Sequence, residues 1–185
     1  LGWLVQELRT KQELTLVYVP SQSLANDVCG YFQKAGISAD FYHKQRTHHE
    51  KDAAHDSFMQ CRVDVLVATV AFGMGVDNRH VRHVVHFMAP KTMETYYQEL
   101  GRAGRDGTLA RATLICNSSD LVRYEGSFYR EKETATRCEW MQNSLNVLRR
   151  YCWNTTECRW HLLLDHFGES RTEAACGKCD VCITR

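Results

Sequence analysis

The residues with the most distinctive chemistry lie near the end of the chain: Cys158, followed by the knuckle Cys176-Gly177-Lys178-Cys179-Asp180-Val181-Cys182. Four thiolates can close a tetrahedral zinc shell, and a knuckle this tight brings three of them together. The pattern predicts a helix over Thr155 to Phe167, with Trp160, Leu163, Leu164 and Phe167 as its apolar stripe. At about 100° per residue, Cys158 points roughly 170° away from that stripe. It falls in the first turn, behind Thr155 or Thr156 as N-cap, where the helix dipole favours a thiolate. Cys158 therefore reads as a ligand rather than a packing residue. Cys152 is a rival for the fourth place, and His161 or His166 could substitute. The chain has nine cysteines, an odd number, and they crowd towards the C-terminus from Cys152 onward. Crowding of this kind points to metal rather than disulfides, in a reducing compartment. A redox protein with exchangeable thiols is the alternative that a zinc measurement would exclude.

A second group lies in Gln98-Glu99-Leu100-Gly101-Arg102-Ala103-Gly104-Arg105-Asp106-Gly107. Read as a helix from Thr92 to Gly104, this segment turns Met93, Tyr96, Tyr97 and Leu100 to a core and presents Gln98, Arg102 and Arg105 on another face. Two guanidinium forks and an amide suit phosphate oxygens, with Gly101 and Gly104 leaving room for close backbone approach. Taken alone, the same residues describe a solvated helix end whose arginines are favoured by the dipole. Upstream, Val67-Ala68-Thr69-Val70-Ala71-Phe72-Gly73-Met74-Gly75-Val76-Asp77-Asn78 leads a buried strand into a glycine-punctuated loop that ends in a carboxylate. Around Gly75 such a loop can offer backbone N–H groups, and Thr69 its hydroxyl, to phosphate, while Asp77 accepts from sugar hydroxyls. The glycine loop alone is a weak signal; joined to the arginine segment at this separation it is specific. The seven histidines from His43 to His86 fit no ligand spacing and read as surface and strand-end residues.

Positioning such groups requires a scaffold. The runs Leu14–Val19, Val63–Ala68 and His83–Phe87 are apolar on both parities and rich in β-branched residues, as buried parallel strands are, with weaker strands at Ile37–Tyr42 and Ala112–Cys116. Helices are predicted between them over Ser21 to Ala35, Thr47 to Gln60 and Thr92 to Gly104. The alternation predicts an α/β fold with a largely parallel sheet, whose ligands gather at the carboxyl ends of strands. After Asn117 the pattern turns helical, over Ser119 to Arg150 and Thr155 to Phe167, so the expected domains are 1–117 and 118–185. At 185 residues, 44% hydrophobic, the chain can bury a core without disulfides. Its net charge of +1 excludes a polybasic field, so any nucleic acid would be held in a local groove. No run approaches the roughly 18 apolar residues of a membrane span, and the first residues lack an initiating Met, as in the middle of a longer protein.

The glycine loop and arginine segment resemble motifs V and VI of superfamily 2 helicases. Ala68-Thr69-Val70-Ala71-Phe72-Gly73-Met74-Gly75 with Tyr96-Tyr97-Gln98-Glu99 resembles the RecQ DNA helicases in particular. Val17-Tyr18-Val19-Pro20-Ser21 is similar to the family's motif IV strand and Tyr42-His43 to its tyrosine–histidine pair, while Cys158-Arg159-Trp160 through Glu169 and the knuckle resemble its zinc-binding subdomain. The resemblance implies the second RecA-like lobe, a P-loop-NTPase-type fold, followed by a small helical zinc subdomain. It implies Arg105 as an arginine finger on the γ-phosphate with Arg102 as companion, and Gln98, Asp77 and Gly75 facing the nucleotide. Ser21, Thr69 and His43 would meet a DNA strand. It selects Cys158 with Cys176, Cys179 and Cys182 as ligands of one structural Zn2+. ATP and Mg2+ would be shared with a first RecA-like lobe of the same protein, because no Gly-Lys-Ser/Thr loop and no Asp-Glu pair occur here, and the chain alone would be inactive as an ATPase. The implied activity is 3′ to 5′ DNA unwinding, in the nucleus of a eukaryote or the cytoplasm of a bacterium, without a membrane partner. Two departures stand out: Lys44-Gln45-Arg46 replaces the usual Ala-Gly-Leu, and Val76-Asp77 the usual Ile-Asn. The competing expectation is a non-catalytic, zinc-dependent nucleic-acid-binding module with a degenerate helicase lobe.

Overall fold

Each apolar run forms a strand in the computed structural model, which describes residues 1–72, 77–125, 135–169 and 175–184. The strands β1 (Thr15–Tyr18), β2 (Ala39–Tyr42), β3 (Val65–Ala68), β4 (His83–Phe87) and β5 (Arg111–Ile115) make one sheet of order β2-β3-β1-β4-β5. All four pairings are parallel: Thr15 lies opposite both Val65 and His83, Ala39 opposite Val65, and His83 opposite Arg111. Alternate residues of the central strands feed different cores. Val17, Val65, Val67 and Val85 pack with Leu4, Val5, Leu8, Val28 and Phe32. Leu16, Tyr18, Leu66, Ala68 and Val84 pack with Ala54, Phe58 and Phe72. Burial on both faces explains why these strands lack polar alternation.

The helices of the sheet region are α1 (Gly2–Lys11), α2 (Gln22–Lys34), α3 (His48–Met59) and α4 (Met93–Leu100). Local chemistry sets their starts. The Ser21 hydroxyl accepts from the Leu24 N–H at 3.3 Å, and Thr47 with Glu50 forms a reciprocal capping box at the head of α3. The helix α1, which burying Leu4, Val5 and Leu8 stabilises, was not among the expected elements. Beyond β5 come α5 (Ser118–Glu125), α6 (Ala135–Trp153), α7 (Arg159–His166) and α8 (Asp180–Ile183). The chain divides into two compact units, Leu1–Pro90 with Gln98–Asn117, and Lys91–Tyr97 with Ser118–Arg185. No described helix is long and apolar enough to cross a membrane.

Several expectations need correction. The helix expected over Thr92 to Gly104 stops at Leu100, so Gln98, Arg102 and Arg105 do not share a helical face. Past Leu100 the backbone closes tight turns, Arg102 N–H to Glu99 O and Ala103 N–H to Leu100 O, and Gly104 then takes φ +68°. A Cβ at Gly104 would lie 3.0 Å from both the Ala110 Cβ and the Thr108 carbonyl, so the turn that follows the helix requires glycine here by close contact as well as by conformation. Of the helix expected over Ser119 to Arg150, residues 119–125 and 135–150 are helical, in α5 and α6, and residues 126–134 lie outside the described residues. The helix expected from Thr155 starts at Arg159, because the Asn154 side chain accepts from the Thr156 and Glu157 N–H groups and holds a turn there. Its expected stripe is also displaced: Trp160 and Phe167 are 42% and 38% exposed, while Leu162, Leu163 and Leu164 are buried. Among the histidines, His43, His83 and His86 are buried rather than superficial.

Candidate metal centre and arginine turn

The metal centre is built by two short elements of the second unit. Cys158 is the N-cap of α7 and is buried; Cys179 is the N-cap of α8, whose middle carries Cys182. Gly177, at φ +66°, folds the knuckle back so that the Lys178 and Cys179 N–H groups point at the Cys176 sulfur, at 3.4 and 3.3 Å. The Sγ atoms of Cys158, Cys176, Cys179 and Cys182 all lie within 4.8 Å of one another, and those of Cys176 and Cys182 are 4.0 Å apart. Sulfurs about 2.3 Å from a tetrahedral zinc would stand about 3.8 Å from each other, so the donor set fits that ion. Cys152, His161 and His166 lie outside the cluster.

The environment of the sulfurs agrees with their chemistry. Burial pushes the Cys158 thiol up, but the backbone N–H groups of His161 and Cys176 and the neighbouring sulfurs outweigh it and leave it at about 6. Burial raises Cys176 to about 11, opposed by its two backbone N–H donors. A bound dication deprotonates all its thiol ligands outright. Beside the ligands, Arg159 grips Asp180 with two parallel bonds, Nε to Oδ1 at 2.9 Å and Nη2 to Oδ2 at 2.7 Å, and also donates to the Tyr151 carbonyl. Arg159 follows Cys158 and Asp180 follows Cys179, so this pair ties the two halves of the thiol cluster together. Sequence reading missed it, although opposite charges directly after two candidate ligands were a usable signal.

In the first unit, Arg102 and Arg105 occupy the turn between α4 and β5. The Arg105 Nε donates to the Gly101 carbonyl at 3.1 Å and its Nη1 to Asp77 at 3.0 Å, with the two side chains 33% and 68% exposed. The Arg102 Nε is buried and has no partner among the described residues. The turn is anchored behind by Gly104 N–H to the Val81 carbonyl at 3.1 Å and by Arg82 on Asp106. Thr108 donates twice to Asp106, and these bonds with Arg82 hold its carboxyl down to about 2. Beneath the turn, Glu99 is buried against His86 Nε2 at 2.8 Å, and the His86 ring stacks on Tyr18 at 5.4 Å; no spacing rule announced this pair. Gln98 is exposed at the end of α4.

Ser21, His43 and Thr69 form a separate set, each just past the carboxyl end of β1, β2 or β3. The Ser21 hydroxyl caps α2, the Thr69 N–H donates to the Tyr42 carbonyl at 3.2 Å, and His43 Nε2 meets Asn26 Oδ1 at 3.1 Å. The His43 Nδ1 is buried without a partner among the described residues. The structure thus brings Asp77 to Arg105 and aligns Ser21, His43 and Thr69 on adjacent strands. Gly75 lies outside the described residues. Arg46, in the departing Lys44-Gln45-Arg46 stretch, packs on Phe41 and pairs with Asp40 at 2.9 Å, so it braces the loop from within.

Comparison with known proteins gives these sites a context. The family described as helicase conserved C-terminal domain matches residues 1–107, and the family described as RecQ zinc-binding matches residues 118–183. The chain is 35% identical to an "ATP-dependent DNA helicase Q-like 2" of Arabidopsis thaliana over 96% of its own length and 24% of the relative's. It is 37% identical to the "RecQ-like DNA helicase blm-1" of Caenorhabditis elegans, over 90% of this chain and 17% of that one. It therefore spans a quarter or less of these relatives. Among solved structures, the E. coli DEAD-box protein SrmB, bound to the regulator of ribonuclease activity A, superposes with a TM-score of 0.56 at 25% identity, over 66% of this chain and 76% of that one. With a fully parallel helicase-type sheet, a four-thiol cluster that fits zinc, and both family matches in order along the chain, this protein belongs to the RecQ-type DNA helicases, as their C-terminal helicase lobe and zinc-binding region.

Proposed function

We propose that this chain is the C-terminal part of the motor core of an ATP-driven DNA helicase, in which residues 1–117 act as the second RecA-like lobe and residues 118–185 as a zinc-stabilised subdomain. ATP with Mg2+ is held between this lobe and a first RecA-like lobe of the same protein. Arg105 acts as arginine finger on the transferring γ-phosphoryl, Arg102 supports it, and Gln98, Asp77 and Gly75 face the nucleotide. Ser21, Thr69 and His43 meet the phosphates of one DNA strand, which lobe closure moves with 3′ to 5′ polarity. The relatives' named activity, ATP-dependent DNA helicase, comes to this chain by family membership. Its site of work is the nucleus if the source is a eukaryote. Cys158, Cys176, Cys179 and Cys182 hold one structural zinc.

The observation that carries this reading is the state of Arg105. Its guanidinium is aimed by a backbone carbonyl and balanced by an exposed carboxylate, Asp77. A surface pair of this kind is worth about 0–1 kcal/mol, so a phosphoryl group that carries more charge displaces it at little cost. Asp77 is released in the same movement to accept from a ribose hydroxyl. In the full-length protein, Arg105→Ala is expected to bind ATP almost normally and to lose DNA-stimulated hydrolysis by roughly 10³-fold or more, the scale for an arginine finger. Unchanged turnover with weakened DNA binding would make Arg105 a DNA contact instead. The 185-residue chain alone is expected to show no ATPase above its Arg105→Ala variant.

A further inference from the structure

We propose that Glu99, paired with His86, is a positioning residue for the arginine turn and sets where Arg102 and Arg105 stand; this rests on the function proposed above. Tyr18, His86, Glu99 and the whole turn from Gly101 to Gly107 belong to the first unit. Glu99 Oε2 and His86 Nε2 are 2.8 Å apart, and the two residues are 6% and 1% exposed. The His86 ring is fixed in its turn. It stacks on Tyr18 at 5.4 Å with 23° between the planes, and the buried Tyr18 hydroxyl donates to the Phe72 carbonyl at 3.1 Å. His86 stands opposite Tyr18 and Leu114 in the sheet, and its neighbours Val84 and Val85 on β4 are apolar and fully buried.

An acid and an imidazole in such a place need a reason. Stripping both of water is costly, and two apolar side chains of similar volume would hold the fold together as well or better. What the pair supplies and packing does not is direction, because a hydrogen bond weakens steeply as its angle departs from linear. Direction matters at Glu99. The helix α4 ends one residue later, and the Glu99 carbonyl accepts the Arg102 N–H at 3.3 Å, the first bond of the turn. Two residues beyond Glu99, the Gly101 carbonyl accepts from the Arg105 Nε at 3.1 Å. The far end of the turn is held by Gly104 N–H on the Val81 carbonyl, two residues before β4, while Leu100 and Ala103 pack on the core below. The turn is thus fastened at both ends to β4 and its lead-in. The Glu99 fastening sets where the turn begins, and with it the carbonyl that aims Arg105.

The test uses the full-length protein and reads kcat and KM for ATP at saturating single-stranded DNA, with the urea midpoint of the lobe as a check on folding. Glu99→Met, which keeps the volume and loses the bond, is expected to hold KM within about twofold and to lower kcat by about tenfold, a fraction of the roughly 10²-fold that an ångström of misplacement can cost. Glu99→Gln keeps an oxygen at the same reach and should recover most of the turnover. Glu99→Asp keeps the charge one methylene short and should not. The discriminating variant joins Glu99→Met to His86→Phe, an apolar pair that leaves neither partner stranded. Its midpoint should match or exceed that of the unaltered protein while kcat stays about tenfold down. Full kcat in Glu99→Met or in the double variant makes the pair a packing element and overturns the proposal. So does a fast Glu99→Asp beside a slow Glu99→Gln, which makes charge rather than reach the working quantity. Should Glu99→Met not fold, the double variant and the Gln–Asp contrast carry the same criteria. Arg105→Ala, run alongside, separates the two levels: full turnover in that variant sinks the functional reading and the proposal with it, whereas a slow Arg105→Ala beside a fast Glu99→Met sinks only the positioning role.

Discussion

In the sheet unit, Leu16, Val17, Leu66, Val67, Val84, Val85, Phe32 and Phe58 are fully buried, and helices shield both faces of the strands. Around the knuckle the balance is different: from residue 175 to residue 184 only Val181 is buried, and order comes from four thiols and the Arg159–Asp180 pair. Apolar area removed from water is a distributed, redundant source of stability. A metal cluster is concentrated, and loss of one ligand removes most of it. The two regions should therefore fail under different treatments, and experiments can separate them.

The largest effect is expected from Cys176→Ser or from a strong chelator. Zinc bound by a site that the unfolded chain lacks contributes directly to folding, about 10–16 kcal/mol in zinc-finger peptides, so the knuckle should become protease-sensitive while the sheet unit keeps its unfolding transition. Metal analysis is expected to give one zinc per chain before treatment; no zinc in freshly purified protein would break the comparison at its root. Phe32→Ala addresses the other side and should cost about 3–5 kcal/mol in urea unfolding of the sheet unit with no change in zinc content. If zinc removal and Phe32→Ala shift a single common transition, the two regions share one source of stability after all.

Acid should also act on the sheet unit through His83. Burial, with Arg111 next to it, lowers this imidazole from 6.5 to about 4, against the opposing pull of Glu7 and Glu13. Its Nδ1 faces the Arg111 guanidinium at 3.4 Å and its Nε2 the Thr113 hydroxyl at 2.8 Å, which suits the neutral ring. Below pH 6.5 the unfolded chain takes up a proton that the folded one refuses until about pH 4, so stability should decline as pH falls through that window, by a few kcal/mol at most, roughly 1.4 per pH unit. Urea midpoints against pH should flatten there in His83→Gln. The smallest effect is expected from Arg159→Ala, which leaves all four thiols in place but unties the two halves of the site. Zinc affinity measured by chelator competition should weaken by about 10- to 100-fold, the usual scale for groups that orient ligands. Unaltered affinity would mean that the knuckle needs no help beyond its own backbone.

Legibility differed in the same way. The strands could be read because burial on both faces demands continuous apolar runs, and His83–Phe87 was located to the residue. Ser21 and Thr47 announced their helices because a cap is a local interaction between near neighbours. The end of α4 differs from the sequence pattern: apolar spacing carries a helix to Gly104, whereas tight turns from Glu99 and Leu100 close it at Leu100 and Gly104 takes a positive φ in the loop beyond. For Cys158 the place among the four clustered thiols was expected from its helical face and the family resemblance, yet its position at the N-cap followed from the Asn154 turn, whose bonds reach only three residues but compete directly with helix formation.

Types, order and spacing along the chain were sufficient for the parallel α/β class, the three-cysteine knuckle and the arginine segment, because periodicity and turn chemistry act over short stretches, whereas the choice of Cys158 over Cys152 rested on the family resemblance. What only the tertiary structure decided are meetings between distant residues: Arg105 with Asp77, Glu99 with His86, Arg159 with Asp180, and Glu94 with Ser144 and His166. Each joins a charged or polar group to a partner from another element. Such pairs leave no periodic trace, since many acids and bases could serve equally well until the fold brings one pair together, whether in the interior, as for Glu99 and His86, or at the surface, as for Arg105 and Asp77.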